Sequence, residues 1–297
     1  MTRKWSIFQL FNLAVLALIG FCTIYPFIYI VAYSLNDGMD SMKGGIYFWP
    51  RSFTLGNYSA VFQDTTLIAA YKITIFRTLL GTVLHVILCA AFAYALTKRT
   101  LPGRMFFIFM IFLPTLFPAG LIPNFILFRN LHIMNTFWVY ILPFLYSFWN
   151  IIIIRTFFQQ LPEALEESAK IDGCSDMGIF WRIIFPLSGP VLATIALFIG
   201  VFHWNDWFSG TFYVSKESIK PVQTLLQDLL TNSEVLASAA SKMNSQGGGT
   251  MYSGMNQTTP ESLRMATLVV ATLPIICVYP FLQKYFVKGV MVGSVKG

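Results

Sequence analysis

The sequence predicts an all-α membrane protein with six transmembrane helices, and three observations lead there. Of its 297 residues, 56% are hydrophobic and only 11% charged, whereas a soluble domain carries about 25% charged residues to meet water. The apolar residues gather into six runs, each close to the length of about 20 residues that a helix needs to cross a hydrocarbon core. The basic residues fall in short groups between those runs. The net charge of +7 is therefore assigned to membrane topology; a nucleic-acid partner would ask for one clustered basic patch.

The first run, Ile7–Leu35, follows Arg3 and Lys4. It is too long for the apolar part of a secretory signal and lacks an A-x-A-like cleavage site, so it reads as a retained anchor. A polar and aromatic outer segment, Asn36–Ala69, comes next and holds Trp49–Pro50. The second run is placed at Thr78–Thr97. An earlier start would carry Lys72 and Arg77 into the membrane at a cost of at least about 2.5–3.5 kcal/mol for a central charge, so both are expected at the outer surface. The remaining runs are Phe106–Phe128, Phe137–Phe158, Ile183–Trp207 and Ala266–Phe286. Lys98, Arg99 and Arg104, with the basic tail, lie beside helix ends, where cytoplasmic loops collect positive charge, so both termini are expected inside. Residues 1–68 are expected to form an N-terminal helix with its outer loop. Residues 69–297 are expected to form a five-helix core with an inner loop at 159–182 and an outer loop at 211–261. The outer loop includes the flexible-looking run Ser245–Thr250.

Several functions find little support in the residues. His85, His132 and His203 lie far apart without metal-ligand spacing, and Cys22, Cys89, Cys174 and Cys277 form no C-x-x-C pair. No metal or cofactor is expected. There is no phosphate-binding G-x-x-x-x-G-K-[ST] loop and no Gly-Lys dipeptide. A secondary transporter should show two related halves and intramembrane charges for ion coupling, and a membrane enzyme a convergent catalytic set; neither pattern is present.

The inner loop carries the argument. It reads Gln159–Gln160–Leu161–Pro162–Glu163–Ala164–Leu165–Glu166–Glu167–Ser168–Ala169–Lys170–Ile171–Asp172–Gly173. Pro162 suits the first helical position, and Glu163, Glu166 and Glu167 suit the positive end of the helix dipole. Gly173 is placed to terminate the helix in a left-handed conformation, and Ser175 to cap a second helix. Leu165, Ser168, Ala169 and Asp172 share one face, where small residues admit a partner's backbone. From spacing alone, an amphipathic connector resting on the headgroups explains the helix equally well.

Glu166–Glu167–Ser168–Ala169, then Ile171–Asp172–Gly173, then Phe185–Pro186–Leu187 resembles the E-A-A-x-x-x-G … I-x-L-P pattern of importer permeases. Ser168 stands where Ala is usual, and Phe185 where Leu is usual. Ala93–Leu96 with Lys98–Arg99 and Pro102–Arg104, Leu121–Pro123 with Leu131–Thr136, and the tail Lys288–Gly297 are similar to the carbohydrate branch, the smaller permease of maltose-type bacterial ABC importers. The resemblance implies the type I importer permease fold with a cytoplasmic coupling helix. Glu166, Glu167, Ser168, Ala169, Asp172, Gly173 and Pro186 would couple it to an ATPase. It also implies two ATPase subunits, a second and homologous permease, an extracellular solute-binding protein and a carbohydrate substrate, an oligosaccharide by branch. The setting would be the bacterial cytoplasmic membrane. A permease for another solute is the nearest alternative, and a secondary sugar transporter the next.

For the substrate path, Asn124 beside Pro123, Asn150 beside Trp149, and Trp204–Asn205–Asp206 are candidates. Aromatic faces stack on sugar rings, and polar groups at membrane depth tend to face a water-filled cavity. The alternatives are a plain packing kink at Asn124 and an interfacial aromatic belt for the Trp residues.

Overall fold

A computed structural model describes residues 7–63, 65–228, 231, 259, 261–274 and 276–277. The described chain is helical, with no strand and one isolated bridge between Asn36 and Phe53. It divides into two compact units, the first from Met1–Ile68 with Leu226–Pro274, the second centred on Ala69–Leu225.

In the first unit, helix α1 (Ile7–Ser34) runs over the first apolar stretch with most side chains exposed as far as Val31, and Ala32, Tyr33 and Ser34 buried at its end. That is the surface expected of a helix facing lipid. Its C-terminal end folds into a polar knot with α2 (Gly38–Ser41), α3 (Gly56–Gln63) and helical residues 261–274. Asn57 Nδ2 donates to the carbonyls of Ser34 and Asn36 at 2.8 and 2.9 Å, and Asn57 Oδ1 accepts from Ser262 Oγ at 2.9 Å. All four residues are fully buried, and the bonds satisfy carbonyls freed where α1 ends.

The second unit is built on α4 (Thr65–Thr97), 33 residues without a break. The second apolar run thus starts earlier than its charges suggested. Lys72 is exposed, whereas Arg77 is fully buried. Arg77 is buried within the protein because it has a partner, Asp206, which the sequence places far away. From Thr74 to Lys98 the helix rises about 36 Å at about 1.5 Å per residue, enough for a hydrocarbon core of about 30 Å.

The later runs are broken. Phe106–Phe128 divides into α5 (Arg104–Leu116) and α6 (Leu121–Asn130), because Pro118 drives Phe117 out of the helical region (φ −125°, ψ 75°) and Gly120 takes φ 81°. Phe137–Phe158 begins as tight 3₁₀ turns and continues, after a 52° bend, as α7 (Phe148–Phe158). After α8 (Glu163–Ile171), the chain passes through α9 (Asp176–Ile179), a π-helical turn at Phe180–Ile184 and α10 (Phe185–Leu187). It then bends by 80° into α11 (Gly189–Asn205) and continues into α12 (Phe208–Tyr213). Pro190 has no N–H to continue the hydrogen-bond ladder across that bend. Among the described residues, two unbroken helices are long and apolar enough to cross a membrane, or four if each bent pair makes one crossing. The sixth run past Cys277, the tail at 288–297 and most of loop 211–261 lie outside the described residues.

The turn after α6 sets the far end of this unit. His132 and Asn135 take left-handed conformations (φ 55° and 56°). Asn135 Oδ1 then accepts from the Ser215 backbone N–H at 2.7 Å and its hydroxyl at 2.9 Å.

Candidate functional site

Two regions of the second unit hold the candidate residues. At one end lies the inner-loop helix α8. Pro162 is its N-cap (φ −60°, ψ 128°), one position earlier than expected, and Glu163 opens the helix. Gly173 takes φ 80°, its N–H reaches Lys170 O at 3.0 Å, and Cys174 N–H reaches Ala169 O at 2.9 Å. These two bonds close the helix as a Schellman motif, in which only glycine takes the left-handed position without strain. Ser175 Oγ accepts from Gly178 N–H at 3.2 Å and caps the next helix.

The faces of α8 are divided. Ala169 is buried (6% exposed) in the unit's own core beside Leu96, Phe158 and Ile179. Glu167, Ser168, Asp172 and Gly173 are exposed, and Ile171 stands 86% exposed. The expected shared face therefore does not present Ala169 outward. The small side chain instead lets α8 pack close to its own chain.

Glu166 is paired with Lys98, which follows α4 directly. The Lys98 ammonium also lies 4.2 Å from the centre of the Tyr94 ring. Burial pulls the Lys98 pKa down, but the pairing with Glu166 and the neighbouring Tyr94 outweigh it and leave the ammonium above its ordinary value. Tyr94 is buried against Phe180 at 5.4 Å and Phe158 at 6.5 Å. Pro186 lies in α10, just before the 80° bend.

Farther along α4 a cleft of about 280 Å³ opens among His85, Phe144, Tyr146, Asn150, Phe198 and Phe202. His85 Nδ1 donates to Phe144 O at 2.6 Å, which fixes the proton there and leaves Nε2 to accept from Asn150 Nδ2 at 2.9 Å. Aromatic walls with a few fixed polar groups are what a sugar ring requires of a pocket.

The other path candidates are not brought together. Asn205 is exposed and bonds Val201 O of its own helix at 3.0 Å. Trp204 is half-buried in α11, and Asn124 half-buried in α6. Pro123 falls in the first turn of α6, so Asn124 marks no kink; the break lies earlier, at Phe117–Gly120. Asp206 is 6% exposed at its side chain and does not line the His85–Asn150 cleft. Its carboxylate meets Arg77 at 3.4 Å, its carbonyl accepts from the same guanidinium at 2.5 Å, and Arg77 lies 5.1 Å from the Tyr140 ring. Sequence reading missed Arg77, His85 and Lys98 as members of these sites. A lone charge or histidine within an apolar helix was the available signal, since it needs a partner to be tolerated.

Residues 86–292 match the family described as "Binding-protein-dependent transport system inner membrane component". The chain is 40% identical over its whole length to Protein LplC of Bacillus subtilis, covering 97% of that protein. It is 35% identical to the polygalacturonan/rhamnogalacturonan transport system permease YtcP of the same species, over 99% of this chain and all of the relative. Among solved structures, a bacterial ABC transporter involved in import of the acidic polysaccharide alginate has a chain that superimposes with a TM-score of 0.85. That chain is 31% identical, and the match covers 96% of this chain and 100% of that one.

Proposed function

From the premise that the chain belongs to the binding-protein-dependent transport system inner membrane components, we propose that it forms, with a second homologous permease, the path for ATP-driven import of an oligosaccharide. It is the transmembrane permease of a carbohydrate ABC importer and not an enzyme; ATP is hydrolysed by a separate subunit. With six spans, both termini lie in the cytoplasm of a bacterial cell; residues 1–68 are an accessory helix and outer loop, and residues 69–297 the core. Two ATPase subunits bind from inside, and an extracellular solute-binding protein delivers the sugar. Two of the similar proteins are named for polygalacturonan and alginate transport, so uronate-containing oligosaccharides are the first candidates.

The observation that carries this reading is α8: a short helix closed by Gly173, with Glu167, Ile171 and Asp172 turned outward. It serves as the coupling helix, docking these residues in an ATPase groove, with Glu166 and Ala169 holding it to its own chain and Pro186 beside the bend that follows. The cleft at His85 and Asn150 is the sugar-contacting part of the path, in place of Asp206, whose carboxylate is committed to Arg77.

The test is uptake by proteoliposomes holding the assembled importer and supplied with binding protein. Labelled oligogalacturonide or another oligosaccharide should enter only with ATP inside, and Glu167→Lys should abolish uptake while the spans still assemble. Sugar-stimulated ATPase activity unchanged by Glu167→Lys would refute the docking role.

A further inference from the structure

Beyond the residues that would touch the ATPase, the chain holds a second element of the coupling device. Lys98 stands where α4 ends, α8 passes and the π-helical turn begins. Its ammonium is paired with Glu166 and lies over the Tyr94 ring, with side-chain exposures of 19% for Lys98 and 26% for Glu166. Exposed ion pairs contribute little. This one is half-buried, is braced by an aromatic face, and joins the end of α4 to α8. Tyr94 in turn packs on Phe158 of α7 and Phe180 of the π-helical turn, so the ring under the cation joins α4 to both.

Along the same unbroken helix, α4 carries His85 at the cleft and Arg77 at the tie to Asp206. A push on α8 therefore reaches the cleft through a rigid rod, provided that α8 and α4 move together.

We propose that Lys98 is a positioning residue: through Glu166 it latches the outward-facing α8 to α4, so that movement imposed on α8 is delivered to the His85–Asn150 cleft. The latch rests on the permease reading above and adds to it the route by which the signal travels. Without it, the ATPase still docks through the exposed face of α8, but docking and the cleft become uncoupled.

The experiment compares Lys98→Met, Lys98→Arg, Glu166→Lys and the exchanged pair Lys98→Glu/Glu166→Lys in the assembled importer. Read-outs are ATPase recovered with the permease, basal hydrolysis, and stimulation by sugar-loaded binding protein. Lys98→Met and Glu166→Lys should recover the ATPase and keep basal hydrolysis, but lose stimulation by about fivefold or more. Lys98→Arg and the exchanged pair should regain it. If Lys98→Met does not accumulate in the membrane, Glu166→Gln takes its place with the same outcomes. Full stimulation in Lys98→Met overturns the latch alone, as does an exchanged pair no better than its single variants. An unaltered chain that recruits no ATPase overturns the latch and the permease reading together.

Discussion

Arg77 and Asp206 sit in the second unit with almost no exposed side-chain surface, at 0% and 6%. Removing one partner of a buried pair leaves the other charge uncompensated, at a cost of about 3–5 kcal/mol, whereas replacing both with apolar residues is often neutral. Asp206→Ala should therefore sharply lower the yield and unfolding temperature of the purified complex, and the double variant Arg77→Met/Asp206→Leu should recover much of both. Fluorescence-monitored unfolding in detergent checks this; a stable Asp206→Ala would show that the pair carries no such weight. The same pair limits what sequence reveals at this scale. Each charge is visible, but its partner lies on another helix, and a charge with a distant partner is indistinguishable from one at the membrane surface.

At the scale of elements, α4 and α11 approach closely enough that a side chain on Gly81 would collide with the His203 ring, while Gly200 lies against Thr82. Small residues at such crossings let membrane helices approach and gain packing where lipid supplies no hydrophobic drive. Gly81→Val should force the helices apart at a cost of about 1–3 kcal/mol, seen as a lower unfolding temperature and slower uptake. Unaltered values for both would exclude this close approach. The element pattern was legible where local rules decide it. Pro162, Gly173 and Ser175 end and begin helices within one position of expectation, because capping involves neighbours in sequence. The long apolar runs were less faithful. Hydropathy sums over a window and registers neither the break at Phe117–Gly120 nor the 80° bend before α11, which follow from Pro118, Gly120 and Pro190 inside otherwise apolar stretches.

At the scale of the whole molecule, the fold class was legible because a chain with 11% charged residues cannot cover itself with a polar surface. The function was legible through the inner loop, whose residues resemble a docking motif more than they serve the chain's own packing. The substrate path was not. Asn150 finds its place only when His85, 65 residues away in sequence, is brought beside it at 2.9 Å. Asp206, equally polar on paper, is spent on an internal tie. The central claim is that α8 faces the cytoplasm and holds an ATPase subunit. The most direct measurement places a photo-crosslinking amino acid at Ile171, which is 86% exposed, in the assembled importer in native membranes. The account predicts a crosslink to the ATPase subunit, made from the cytoplasmic side and altered in yield by a non-hydrolysable ATP analogue. A crosslink to the extracellular binding protein, or none to the ATPase while the complex stays intact, would contradict it.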